Sequence, residues 1–437
     1  MDNTVQITTP IPSELHGNWR SRAAGWLLSI GRETFTLYDV TEAVCLKNRD
    51  VPLQLAELYD RYHLTPDGQT AHFYEPHKQT FEQFERTDSL IAATARSADP
   101  VHNFDAFAAY FAENYPFFEQ HNIDWSKRVA AARPRVSTDT DDKALFAIFG
   151  SMLAGLNDGH VRLAGEVDGA WREIVPYAGR TLAAAAKVDA ADSHESSWLN
   201  RYRANVMAVL LRGEGAYTGN RRIAYGWLDD EQTIGYLNIV LFEGLADSAE
   251  ASWTDEIEAA HAAMSEVFHT LGDAQTLVVD VTNNRGGISV VAETIAGYFT
   301  SYPVAVGAVQ RVADPRSPWQ QLILQPSSAT PFEKPVYLLT SDVTVSGGER
   351  FTLWLRALPH VTHLGERTRG SLSKILPKHL PNGWWLWLSS QAIFDHTGNL
   401  WEGSGIPPDT ILSVFDPNEL DDSHPRAVQR IDRAFAV

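Results

Sequence analysis

From Thr233 onward the chain alternates between short apolar runs that suit buried strands and longer stretches with helical spacing, and this alternation constrains the fold more than any other feature. Ile234-Gly-Tyr-Leu-Asn-Ile-Val-Leu-Phe242 reads as a strand, 247–271 as a long helix and Thr276-Leu-Val-Val-Asp-Val281 as a buried strand. That strand runs into Asn283-Asn-Arg-Gly-Gly287, after which 290–299 reads as helix, and Pro303-Val-Ala-Val is a further strand. The apolar run beginning at Val336 breaks at Ser346-Gly-Gly and resumes with Phe351, Leu353, Leu355 and Leu358 at helical spacing: strand, tight turn, helix. Trp384-Trp-Leu-Trp-Leu-Ser and Ala392-Ile-Phe-Asp read as paired strands, with a turn at His396-Thr-Gly-Asn. Strands alternating with helices predict a largely parallel sheet covered by helices, with ligand sites at strand ends.

A serine at the start of such a helix meets free backbone N–H groups and the positive end of the helix dipole. Ser346 is therefore a candidate nucleophile, although Ser-Gly-Gly before a helix can equally be a plain cap. Paired glycines at Gly286 and Gly287 let the backbone approach a ligand and aim N–H groups at it. Glu402 places a carboxylate near the start of the Gly/Pro-rich turn Trp401-Glu-Gly-Ser-Gly-Ile-Pro-Pro-Asp409.

Upstream, the pattern differs. Residues 14–85 are aromatic and β-branched stretches broken by turn signals, which predicts a small β-rich domain over 1–97 whose tryptophans are core. Over 98–160 the spacing is helical. Phe104, Phe107, Tyr110, Phe111 and Tyr115 form one apolar stripe, and Leu145, Phe146, Phe149, Met152 and Leu153 form another. The second helix ends at Leu156-Asn-Asp-Gly-His160, a turn that displays His160. Residues 161–232 read as a linker or cap region, with a helix over 183–191, a polar break over 192–197 and no Gly-Leu-Gly-type carboxylate loop of the kind a PDZ domain carries. The remainder, 233–437, is the α/β core.

Composition narrows the function. A length of 437 residues predicts two or three domains. The net charge of −19 argues against nucleic acid or an anionic membrane as partner. Cys45 is the only cysteine, which excludes an intrachain disulfide and a Cys-based metal cluster. His360 and His363 have no third partner at metal-ligand spacing, and no metal or cofactor is expected. No run is long and apolar enough to span a bilayer. The sequence as written starts without a basic segment followed by an apolar one, so the expectation is a cytoplasmic protein, or a periplasmic or secreted one if a signal peptide has been removed.

Taken in order, six segments resemble peptidase family S41, the C-terminal processing or tail-specific proteases. They are Leu156-Asn-Asp-Gly-His160, Ile234-Gly-Tyr-Leu-Asn-Ile, Val279-Asp-Val-Thr-Asn-Asn-Arg-Gly-Gly287, Leu339-Thr-Ser-Asp-Val-Thr-Val-Ser-Gly-Gly-Glu349, Gly365-Glu-Arg-Thr-Arg-Gly370 and Glu402-Gly-Ser-Gly-Ile-Pro-Pro-Asp409. The resemblance implies an α/β fold with a ClpP/crotonase-like core. It also implies a serine peptidase acting on peptides or unfolded segments, with Ser346 as nucleophile and an oxyanion hole from the N–H of Gly347 with that of Gly286 or Gly287. Many members place a catalytic lysine after the last glycine of the Gly-x-x-Thr-x-Gly segment. Here Ser371 stands at that position, with Lys374 and Lys378 nearby. The branch similar to the tricorn core protease uses a histidine and a glutamate instead, which match His160 as base and Glu402 as its orienting group. Gly159 stands where that branch has a serine, and Thr282 where the family often has an arginine.

Two other readings stay open. One is a non-catalytic protein that binds apolar ligands on the same scaffold, as the retinoid-binding protein of the eye does; 13 tryptophans and 19 phenylalanines could line its pocket. The other is an esterase or related acyl hydrolase, although no Gly-x-Ser-x-Gly elbow surrounds Ser346. Self-association into a homo-oligomer is left open.

Overall fold

The computed structural model describes residues 4–88, 93–191, 197–314 and 316–435. They fall into two compact units. The first takes in Met1–Tyr177, Val309–Gln320 and Ser373–Ala392, and the second Ala178–Ala308, Gln321–Leu372 and Ile393–Val437.

In the first unit the short strands expected between 14 and 85, joined by Val5–Gln6 at one edge, form an eight-stranded sheet with every neighbouring pair antiparallel. Its tryptophans are core: Trp19 is fully buried and donates its indole N–H to the Leu15 carbonyl at 2.7 Å. The aromatic stripes lie on the helices Pro100–Asn114 and Asp142–Leu153, where Phe107 stacks on Phe149 with ring centroids 4.0 Å apart. Asp141 caps the second of these, accepting the Ala144 N–H at 2.7 Å, as a carboxylate before a helix should.

The strand Trp385–Ser389 differs from expectation. It pairs with Ile375–His379 and Arg162–Val167, whereas Ala392–Asp395 belongs to another sheet. A bridge between Phe394 and Leu400 closes the turn at His396-Thr-Gly-Asn, so that turn joins a hairpin of its own.

The second unit is built on a seven-stranded sheet. Ile223–Trp227 runs antiparallel to both of its neighbours, Ala216–Thr218 and Ile234–Ile239, and from Ile234–Ile239 the order continues in parallel through Thr276–Asp280, Val336–Thr340, Val361–Gly365 and Thr410–Ile411. This is the expected α/β arrangement with an antiparallel edge. Alternate residues serve opposite faces. Leu277, Val279, Val336 and Leu338 join the core with Trp253–Leu271 and Gly347–Arg356, while Val278 and Leu339 join the core with Trp198, Tyr202 and Val428.

Two boundaries moved for local reasons. The long helix begins at Trp253 rather than 247 because Ser252 and Asp255 form a capping box there. The first parallel strand stops at Ile239, and Phe242 instead forms a single bridge with Gly287. The helix expected over 183–191 spans Arg180–Ala191. The polar break expected at 192–197 lies outside the described residues except for Ser197. Among the described residues no helix is long and apolar enough to cross a membrane.

Candidate functional site

The buried central strand Val336–Thr340 delivers the chain to the C-terminal edge of the parallel sheet, and the helix Gly347–Arg356 leaves from it. Between them the backbone turns at Ser346, which has φ 57° and ψ −115°. An L-residue pays about 1–3 kcal/mol to sit in such a region, a cost that persists only where the surroundings enforce it.

The enforcement is visible on both sides of the turn. On one side, Asn284 accepts the Val345 N–H with its carbonyl and the Gly286 N–H with its side-chain oxygen, at 3.2 and 2.9 Å, and donates its amide to the Ile239 carbonyl. On the other, the Ser346 N–H reaches the Ser371 carbonyl at 3.1 Å. Gly286 lies so close that a β-carbon there would come within 2.9 Å of the Ser346 β-carbon, and its φ is +93°. A side chain at position 286 is therefore excluded by space and by backbone conformation.

These contacts fix where the N–H groups point. The Gly286 N–H is already committed to Asn284. Gly287 bridges Phe242 through its neighbours, since the Phe242 N–H donates to the Gly286 carbonyl and the Ile288 N–H to the Phe242 carbonyl. The Gly287 N–H is turned away from that pairing. Gly347 is the first residue of its helix, where no intrahelical acceptor exists. A β-carbon on Gly347 would stand 2.9 Å from the Gly287 carbonyl oxygen and 3.3 Å from its nitrogen. Among the described residues no acceptor is seen for the Gly287 and Gly347 N–H groups, which lie close together next to a half-buried serine, an arrangement able to hold a developing oxyanion.

Beneath the serine sits Glu349, which sequence reasoning passed over. It is fully buried, and its carboxylate accepts four donors. The Thr368 hydroxyl and the Gly370 N–H reach one oxygen at 2.6 Å each, and the Ser371 and Ser346 N–H groups reach the other at 2.8 and 3.1 Å. Burial raises its pKa above the usual range, against the pull of those four hydrogen bonds. The Ser-x-x-Glu spacing was the available signal, because a glutamate at the third helical position reaches back to the cap.

Glu402 joins the same layer. It is 3% exposed and accepts the Leu372 N–H at 3.0 Å, while Arg350 donates to the Leu372 carbonyl at 3.2 Å. Burial brings the Arg350 pKa down to about 10, with the charges of Glu402 and Glu293 opposing. The Glu402 turn is stitched to the 368–372 segment by the Gly403 N–H on the Gly370 carbonyl and the Ile406 N–H on the Thr368 hydroxyl. Consecutive residues Ser371 and Leu372 therefore hold Ser346 and Glu402 respectively. Ser371, at the position where a lysine was considered, accepts the Ser346 N–H with its backbone carbonyl and carries no amine.

Of the six expected site residues, the second unit contains Ser346, Gly347, Gly286, Gly287 and Glu402. His160 belongs to the first unit. It is 7% exposed, and its backbone N–H donates at 2.8 Å to Asp158, whose other oxygen accepts the Tyr115 hydroxyl at 3.0 Å. Asp158 thereby ties the Asn-Asp-Gly-His turn to Tyr115. The two nearby lysines are also in the first unit and are occupied. Lys378 is wholly buried, donating to Asp39 at 2.8 Å and to the carbonyls of Ala24 and Gly25. Lys374 is ion-paired with Glu75, and burial brings its pKa down to about 8.

The second unit is thus an α/β protein with a strained strand-to-helix elbow at the C-terminal edge of a parallel sheet. Residues 233–412 match the family model of peptidase family S41, a stretch that contains every expected site residue except His160. Solved structures share the fold. A candidate peptidase from Parabacteroides merdae is 24% identical with a TM-score of 0.59, over 77% of this chain and 97% of that one. Mature CPAF complexed with lactacystin is 11% identical with a TM-score of 0.55, over 77% and 97%.

Proposed function

We propose that the protein is a serine peptidase of the histidine branch of this family, hydrolysing peptides or unfolded protein segments. In this reading Ser346 attacks the scissile carbonyl, and the N–H groups of Gly347 and Gly287 take the charge that develops on its oxygen. His160 accepts the serine proton and returns it to the leaving amine, and Glu402 orients the imidazole.

The observation that carries the proposal is the conformation of Ser346. A residue that only capped a helix would need no left-handed backbone, whereas a nucleophile must be lifted clear of the strand beside its oxyanion donors. Gly286 is left out of the oxyanion hole because its N–H is spent on Asn284. His160 takes the base's role on the strength of its motif. The capture of Lys374 and Lys378 by carboxylates favours it over a lysine.

The test is labelling by a small neutral fluorophosphonate of the parent, Ser346→Ala and His160→Ala. Labelling of the parent that is lost in both variants supports the assignment. Retained labelling in His160→Ala removes the histidine from the scheme, and a folded parent that never labels removes catalysis altogether.

A further inference from the structure

The helix Leu420–Phe435 sends one polar side chain to the strand that ends in the oxyanion turn. His424 is 1% exposed, and its Nε2 donates to the Asp280 carboxylate at 2.6 Å. Its Nδ1 is buried with no hydrogen-bond partner among the described residues, so Nε2 carries the ring's polar contacts, the second being the Tyr202 hydroxyl at 3.5 Å. Other polar contacts of the helix run elsewhere. Asp421 pairs with Arg201 at 3.0 Å, and its carbonyl accepts the Asn205 amide at 2.7 Å, both on the helix Trp198–Asn205.

Asp280 is the last residue of its strand and is fully buried. A carboxylate in an apolar core needs donors for both of its oxygens. One oxygen accepts from His424, from the Tyr236 hydroxyl and, at 3.4 Å, from the Tyr202 hydroxyl. The other accepts the Thr282 N–H at 2.8 Å. The side-chain donors therefore fix how the carboxylate is turned, and Thr282 is held by the oxygen they leave free.

From Thr282 the hydrogen bonds continue to the serine elbow. The Thr282 carbonyl accepts the Ser341 hydroxyl at 2.6 Å. The Val281 carbonyl accepts the Asn284 N–H at 3.1 Å and the Thr344 hydroxyl at 2.7 Å. Asn284 then holds the Gly286 and Val345 N–H groups. Thr282, Asn284, Ser341 and Thr344 are all fully buried, so water cannot replace a partner that is lost. The segment that leads to Gly287 is thus pinned to the one that leads to Ser346, and its first fixed point is the carboxylate that His424 holds.

We propose that His424 is a positioning residue for the peptidase reaction: by fixing the Asp280 carboxylate it holds the turn that presents the Gly287 N–H to the developing oxyanion. This rests on the serine peptidase reading and adds the C-terminal helix to the scaffold of the site. An oxyanion donor acts through preorganisation, and a misplacement of about 1 Å is enough to cost up to two powers of ten in rate.

The test separates positioning from folding. His424→Leu and His424→Asn both remove the Nε2 donor, the first with an apolar side chain and the second with an amide too short to reach Asp280. His424→Gln keeps an amide donor at about the reach of Nε2. Val428→Ala loosens the same helix, where Val428 is fully buried, without a polar change. Each protein is reacted with the small neutral fluorophosphonate at several concentrations, at a temperature where circular dichroism shows it folded, to obtain the maximal rate kinact and the probe affinity KI separately. In His424→Leu and His424→Asn, kinact should fall about tenfold or more with KI within about twofold of the parent. In His424→Gln kinact should stay within about threefold, and in Val428→Ala it should match the parent although the melting midpoint drops. Amide exchange over residues 281–287, followed by mass spectrometry, should be faster in His424→Leu and His424→Asn and parent-like in Val428→Ala. Parent-like kinact in His424→Leu or His424→Asn, a fall of the same size in His424→Gln or Val428→Ala, or failure of both donor-removing variants to fold overturns the proposal. A parent that labels beside a His424→Leu variant that labels equally well removes this inference alone, whereas a folded parent that never labels removes the peptidase reading and this inference with it.

Discussion

Glu349→Gln offers the sharpest test of how the serine elbow is held. Glutamine keeps one acceptor oxygen and turns the other into a donor. With the amide oxygen facing Thr368 and Gly370, the amine faces the N–H groups of Ser346 and Ser371. Ser346 still has the Ser371 carbonyl at 3.1 Å, so one backbone donor, that of Ser371, is orphaned in a buried place. In the opposite orientation the Gly370 N–H is the orphan. An unsatisfied buried donor costs about 1–3 kcal/mol, and the amide's own unmet N–H groups add to it. Removing a buried charge offsets part of this, which leaves a net loss of about 2 kcal/mol. For a unit of this size that corresponds to a melting midpoint roughly 4–8 °C lower.

The same substitution should slow fluorophosphonate labelling about tenfold or more, measured well below the midpoint, because the 368–372 segment positions both Ser346 and Glu402. The pH dependence has a definite sign. A carboxyl whose pKa is raised on folding contributes stability that is complete below its unfolded value of about 4.5 and is lost as pH rises through the folded value. The stability gap between parent and variant, followed by thermal unfolding, should therefore be widest near pH 4.5 and narrow above it. A Gln variant that melts within about 1 °C of the parent and labels within about twofold would refute the reasoning.

Two further perturbations reach other parts of the second unit. Gly286→Ala puts a β-carbon 2.9 Å from that of Ser346 at a φ of +93°, and labelling should fall by roughly two to three powers of ten while circular dichroism still reports a folded protein; parent-like labelling would show that the glycine's close approach is dispensable. Asp280 is fully buried and accepts from His424 at 2.6 Å and from the Thr282 N–H at 2.8 Å. Burial raises its pKa, but the charge and hydrogen bond of His424, with Tyr236 and Thr282, bring the net below the usual value. Its stabilisation is therefore present above an unfolded value of about 3.8 and lost as pH falls through the folded one. Asp280→Asn should cost about 3–5 kcal/mol in urea unfolding near neutrality and flatten the loss of stability below about pH 4, and an unchanged acid slope would count against the pair.

Much of this was legible in the chain because the signals are local. The period of apolar residues set the parallel sheet, since a buried strand and a helix face differ within a few residues. Ser346, Gly286 and Gly287 stood out because strand-turn-helix chemistry is written contiguously. The capping box at Ser252 is just as local, and reading it would have placed the long helix correctly.

What only the tertiary structure decided lies between distant segments. Glu349 finds three of its four donors 19 to 22 residues away, so its burial and load are invisible in a Ser-x-x-Glu pattern that usually marks a solvated cap. Lys378 meets Asp39 from 339 residues away and Lys374 meets Glu75 from 299, pairings that no spacing rule could anticipate. That the Gly286 N–H is taken up by the Asn284 side chain is likewise visible only in the folded chain. Sequence period fixes which residues face inward, because that depends on neighbours along the chain. Which buried polar group meets which partner depends on loop closure across the fold, and that is where the chemistry of this elbow is set.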